Sequence, residues 1–153
     1  MYKLIVFFIL NFGALGIGSY LIGNPSENDW YRNANIAPWT PPGWVFGFAW
    51  TTIMICFSIF MWRETNQKNF AELKWFFVLY AIQWLLNVLW NPVFFRWHFV
   101  GLALVMIIAL VILVAYFTYY GYKHSIFSFL LVLPYFVWLV IATTLNAYIY
   151  VKN

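Results

Sequence analysis

The chain has 153 residues, of which 65% are apolar and only 8% are Asp, Glu, Lys or Arg, against about 25% charged in a typical soluble domain. So few charges cannot coat a globule, which excludes a soluble domain, and so high an apolar content excludes a disordered chain. One cysteine, Cys56, excludes a disulfide framework, and a scattered net charge of +4 excludes a nucleic-acid surface.

Charges punctuate the sequence into five uncharged apolar runs. The first, Leu4 to Gly23, follows Lys3. Its small residues Gly13-Ala14-Leu15-Gly16-Ile17-Gly18-Ser19 have the makeup of a secretory signal peptide, yet the run is read as a retained first span. The second runs from Gly43 to Trp62, after a loop of about 20 residues from Gly23 to Pro42. That loop holds Trp30, Tyr31, Trp39 and the prolines Pro38, Pro41 and Pro42, so it reads as an ordered lid. A polar connection, Arg63 to Lys74, leads to the third run, Trp75 to Phe95. Short connections then join the fourth, Trp97 to Tyr122, and the fifth, Ser125 to Val151. Each run is long enough to cross about 30 Å of hydrocarbon as a helix, and their unbroken apolar character favours helices over a barrel.

The expected fold class is therefore an all-α integral membrane protein, a five-helix transmembrane bundle forming a single domain over residues 1–153. Its helices are expected at about 4–22, 43–62, 74–94, 98–120 and 126–150. Lys3, Arg63, Lys68, Lys74 and Lys123 fall on one face, against Arg32, Arg96 and Lys152 on the other, which predicts an inside N-terminus. No internal repeat is visible, which disfavours an inverted-repeat transporter.

The mid-span residues narrow the function. None is Asp, Glu, Lys, Arg or His, which disfavours an ion- or proton-coupled carrier. His98 and His124 fall in connections on opposite faces, so they cannot share a metal or a haem iron. No serine, cysteine or carboxylate constellation suits hydrolysis. What remains is polar and uncharged. Gln83, Asn87 and Asn91 recur at four-residue steps on the third span, with Trp90 and Phe94 completing that face before and after Pro92. Tyr135, Trp138, Ala142, Leu145 and Asn146 share a face of the fifth, just after Pro134. These residues read either as interhelical glue or as a cavity of flat aromatics with amides and hydroxyls as orienting groups. Ala142 and Gly47 leave room for such a cavity, and the chain's 17 Phe, 11 Tyr and 10 Trp exceed what lipid contact needs. Leu145-x2-Tyr148-x3-Lys152 also fits a weak pattern proposed for cholesterol contact.

Several motifs occur together. Trp30-Tyr31, Trp39-Thr40-Pro41-Pro42, Trp44-Val45-Phe46-Gly47 and Trp50 resemble the first loop and second helix of the translocator protein family, also called tryptophan-rich sensory proteins or peripheral benzodiazepine receptors. Leu86-Asn87, Trp90 and Pro92-Val93-Phe94-Phe95 resemble its third helix. Pro134-Tyr135, Trp138, Ala142-Thr143-Thr144-Leu145-Asn146 and Tyr148 resemble its fifth, and Gly18-Ser19 fits the first. The resemblance covers essentially the whole chain and suggests a bacterial member in the cell membrane. It departs where the family commonly reads Leu-x-Lys-Pro-x-Trp, since Ala34-Asn35-Ile36-Ala37-Pro38-Trp39 lacks the basic residue. The small-xxx-small pair that some members use for a homodimer is Val78 and Ile82 here.

The resemblance implies a pocket, capped by the first loop, for porphyrins, sterols and isoquinoline or benzodiazepine drugs. Its expected lining is Tyr31, Trp39, Phe46, Trp50, Gln83, Asn87, Trp90, Phe94, Tyr135, Trp138, Ala142, Leu145 and Asn146. With no histidine near, the ligand is expected to be metal-free protoporphyrin and no cofactor is required. Arg32 and Arg96, on the lid side, are placed to meet its propionates. One function this implies is light- and oxygen-dependent breakdown of bound protoporphyrin, with Trp50 and Trp138 as redox partners. The alternatives are a binding or transport module for sterol-like lipids or porphyrins without turnover, and a membrane scaffold with an incidental pocket. Membrane lipid is the expected surrounding partner in each case.

Overall fold

A computed structural model describes residues 2–23, 25–66 and 68–153, apart from the side chains of Ser26, Phe70 and Glu72. Asn24 in the lid and Gln67 in the second connection lie outside the described residues. Among the described residues, five helices are long and apolar enough to cross a membrane, as the charge punctuation predicts. They are α1 (Tyr2–Ile22), α3 (Gly43–Asn66), α4 (Phe70–Asn91), α5 (Val100–His124) and α6 (Ile126–Lys152). The lid carries a 3₁₀ turn, Pro25–Glu27, and a short helix α2, Asp29–Asn33. Among the described residues there is no strand.

The spanning helices close into a ring. α1 packs on α3 and α4, α3 on α6, α6 on α5, and α5 back on α4. The core inside this ring is dominated by aromatics, with Phe57, Phe60, Phe117 and Tyr135 fully buried among Ile53, Met61, Leu110 and Val132. Phe57 alone meets the rings of Phe60, Phe117 and Tyr135 at centroid distances of 5.4–5.8 Å. Burying each such ring is worth about 1.5–3 kcal/mol in water, but lipid tails are as apolar as these rings. Packing and interhelical hydrogen bonds therefore carry the association inside the bilayer.

Those hydrogen bonds form a buried seam. Asn11 Nδ2 donates to Ser58 Oγ at 2.8 Å, joining α1 to α3, and Tyr80 Oη donates to Asn11 Oδ1 at 2.7 Å, adding α4. Polar side chains at this depth need such partners, because no water competes to satisfy them.

Two elements differ from the hydropathy pattern. The polar connection expected from Arg63 to Lys74 is mostly helical, because α3 continues to Asn66 and α4 begins at Phe70. Glu64 and Thr65 turn inward and are buried. Glu64 accepts a 2.5 Å hydrogen bond from Ser128 Oγ in the first turn of α6, where a helix N-terminus favours an anion. The third span does not stay α-helical to Phe95. Pro92 has no N–H to give to Val88, and residues Pro92–Arg96 form a π turn in which Trp97 N–H donates to Pro92 O at 2.9 Å.

An aromatic cavity under the lid

Inside the ring, toward the lid, lies a cavity of about 400 Å³, within the range of small-molecule sites. Trp50 and Phe46 reach it from α3, Asn87, Trp90 and Asn91 from α4, and Trp138, Leu139 and Ala142 from α6. Ile107 and Leu110 of α5 close its back, and Ala14, Leu15, Ser19 and Ile22 of α1 its front. The lining among the described residues carries no charged side chain. A ligand here meets indole faces and two amides, an environment suited to a flat, largely apolar molecule.

Helical spacing explains why these side chains meet. Asn87 and Asn91 stand one turn apart on α4, with the Asn91 amide donating to the Asn87 carbonyl at 3.1 Å. Trp138 and Ala142 do the same on α6, and Phe46 and Trp50 on α3. Phe46 meets Trp138 edge to face, centroids 5.2 Å apart, which fixes the α3–α6 wall. Gly18 is buried where a Cβ would stand 2.7 Å from the Asn91 amide nitrogen, so a residue without a side chain lets α1 approach this amide.

Of the residues expected to line a pocket, Phe46, Trp50, Asn87, Trp90, Trp138 and Ala142 do so. Gln83 and Tyr135 sit one turn deeper. The Gln83 amide donates to Tyr135 Oη at 2.7 Å, and Tyr135 packs edge-on beneath Trp50 at 6.0 Å. They support the cavity floor from below. Leu145 and Asn146 are buried behind the wall, where Asn146 accepts from Trp90 Nε1 at 3.3 Å and donates to Val100 O at 3.2 Å. That pair of bonds holds the Trp90 indole in place.

Tyr31, Phe94 and Trp39 belong to the closure above. Tyr31 packs on Phe94 and Phe95 at 6.4 and 5.3 Å, and Phe94 stacks on Trp90 at 5.0 Å. Burial pushes the Tyr31 hydroxyl above the usual phenol range. Trp39 is half exposed, donating to Thr144 Oγ1 at 3.2 Å and meeting Tyr148 edge-on. The lid is fastened further by Asn28, whose amide donates to Phe95 O at 2.9 Å, and by Asn35, whose N–H donates to Asn153 Oδ1 at 2.8 Å. Arg32 is exposed beside Asp29, at 3.7 Å, and Arg96 is exposed as well.

The histidines stand apart from the cavity. His98 stacks on Trp30 at 4.4 Å beyond the π turn, and His124 stacks on Tyr120 at 4.2 Å at the far end of α5.

The TspO/MBR family model matches residues 5–151. A tryptophan-rich sensory protein of Cereibacter sphaeroides is 32% identical over 119 residues, covering 78% of this chain and 73% of its own. The tryptophan-rich protein TspO of Archaeoglobus fulgidus is 36% identical over 142 residues, covering 92% and 90%. The human translocator protein is 32% identical over 130 residues, covering 81% and 75%.

Proposed function

We propose, from the premise that this chain belongs to the TspO/MBR family, that its cavity binds metal-free protoporphyrin and promotes the loss of that porphyrin in light and oxygen. The observation that carries the reading is the wall itself. Trp50, Trp90 and Trp138 line one cavity, with the amides of Asn87 and Asn91 and no charged side chain among its described lining. A flat macrocycle gains offset stacking on indoles and loses little by leaving water. Its carboxylates would remain toward the lid, where Arg32 and Arg96 lie.

In this reading the bound porphyrin is the photosensitiser, molecular oxygen the oxidant, and Trp50 and Trp138 the electron or radical partners. Isoquinoline and benzodiazepine drugs would occupy the same cavity. The protein would act as a multi-pass protein of the cell membrane, with the surrounding lipid as its standing partner.

The test is the absorbance of purified protein with protoporphyrin, followed in darkness and in light. A spectral shift in the dark with a new product only under illumination supports the proposal. A shift without any light-dependent product leaves a binding or transport module. Absence of a shift refutes the porphyrin reading.

A further inference from the structure

We propose that the ligand reaches this cavity sideways from the bilayer, through an opening between α1 and α3 rimmed by Ser19, Gly43, Gly47 and Thr51, and not by way of the lid. The inference rests on the cavity being a ligand site and deepens that reading, because it restricts the ligand to molecules that dissolve in hydrocarbon.

The four rim residues line the cavity and are also exposed on the outer surface. The opposite wall behaves differently, since Asn87, Leu110, Trp138 and Leu139 are buried. Gly43, Gly47 and Thr51 recur every four residues and so form one stripe of α3. A Cβ at Gly43 or Gly47 would meet nothing within 4 Å, so both positions on the rim face open space. The Thr51 hydroxyl is turned back onto its own helix, donating to Gly47 O at 2.8 Å. Thr51 therefore presents little polarity to a passing apolar molecule.

Beside this stripe, Trp44 and Phe48 are 73% and 68% exposed, an apolar surface suited to lipid. Thr51 lies eight residues into α3, about 12 Å along its axis, so the opening reaches into the hydrocarbon layer. Further along, the two helices close against each other through the Asn11–Ser58 hydrogen bond and the 3.2 Å bond from Ser58 Oγ to Phe7 O.

The lid, by contrast, is fastened shut. Asn28, Asn35 and Trp39 tie it to Phe95, Asn153 and Thr144, all on the α4 and α6 side of the ring. A route through the lid must break several of these bonds, whereas the lateral route breaks no hydrogen bond found among the described residues.

The experiment uses the full chain reconstituted in phosphatidylcholine vesicles, with protoporphyrin added in the lipid as the probe and tryptophan quenching as the stopped-flow readout. Gly47→Phe should slow association by about tenfold or more and slow release into empty vesicles too, as a plugged opening must. Thr51→Phe supplies the same obstruction if Gly47→Phe folds poorly. Damage to the site itself would instead speed release. Asn28→Ala and Asn35→Ala, which loosen the lid and do not line the cavity, should leave association within about twofold. Faster association in the loosened-lid variants, together with unchanged rates in both Phe variants, would overturn the lateral route. If wild-type protein shows no quenching at all, the cavity reading falls and the route falls with it.

Discussion

The Trp50 indole stands edge-on over Tyr135, with centroids 6.0 Å apart, and Tyr135 in turn holds the Gln83 amide at 2.7 Å. The residue that faces the cavity is thus set by a hydrogen-bonded pair that does not. Trp138 instead meets another lining residue, Phe46, edge to face at 5.2 Å. Each of the two indoles proposed as redox partners thus packs at an angle against a ring of a neighbouring helix.

Replacing either indole by phenylalanine keeps a flat apolar wall and removes the readily oxidised ring. Trp50→Phe and Trp138→Phe should each cost under about 1.5 kcal/mol in protoporphyrin binding measured in darkness. Light-driven porphyrin loss should fall sharply in at least one. Equal photolysis rates in both variants and wild type would reduce these residues to packing.

Neither histidine contacts the cavity, since His98 stacks on Trp30 and His124 on Tyr120. The double variant His98→Ala, His124→Ala should bind metal-free protoporphyrin within about threefold of wild type in a fluorescence titration. A loss of tenfold or more would mean that a histidine reaches the ligand after all.

Among the glycines, Gly121 of α5 comes closest to the backbone of a neighbouring helix, α6. A Cβ at Gly121 would stand 2.9 Å from the carbonyl carbon and oxygen of Ser128, atoms that cannot swing away. Gly121→Ala should therefore lower thermal stability in detergent by about 1–3 kcal/mol. Gly13→Ala is the control. Its Cβ meets nothing within 4 Å, and alanine is the better helix former by about 1 kcal/mol. Equal midpoints for the two variants would show that the α5–α6 contact relaxes freely.

The Asn35–Asn153 hydrogen bonds bring the lid and the end of α6 together. With Cys56 replaced by serine, Asn28→Cys and Lys152→Cys should therefore label from the same side of sealed vesicles with an impermeant maleimide. Labelling from opposite sides would contradict an odd number of spans.

The bundle was legible because charge does two jobs in this sequence. Lys3, Arg32, Arg63, Lys74, Arg96, Lys123 and Lys152 mark where the chain leaves hydrocarbon, and the absence of charge within each of the five runs marks a span. Half of the cavity was legible for a similar reason: an amide at Asn87 and an indole at Trp138 are conspicuous in an apolar helix. The contribution of α1 is signalled by Asn11 alone. Ala14, Leu15 and Ile22 carry no signal of their own, but they follow Asn11, the one amide of α1, at helical spacing, and its buried bonds to Ser58 and Tyr80 show that this face turns inward. The four-residue ladder of amides also hides a division of labour. Asn87 and Asn91 meet the cavity, while Gln83, one step earlier, is taken up by Tyr135. Periodicity assigns all three to one side of the helix and is silent on depth.

The π turn at Pro92–Arg96 makes the α4 segment unusually sensitive to length. Its extra residue lets one continuous stretch serve two registers, with Trp90 turned to the cavity and the Phe95 carbonyl left free to hold Asn28. Deleting a single residue there would take out the widened turn and leave the helix up to Trp90 in place. The Phe95 carbonyl would no longer stand opposite the Asn28 amide, so the lid would lose that fastening while the cavity wall stayed intact. A substitution in this stretch spares the bond, because it runs to a main-chain oxygen, but a change of length does not.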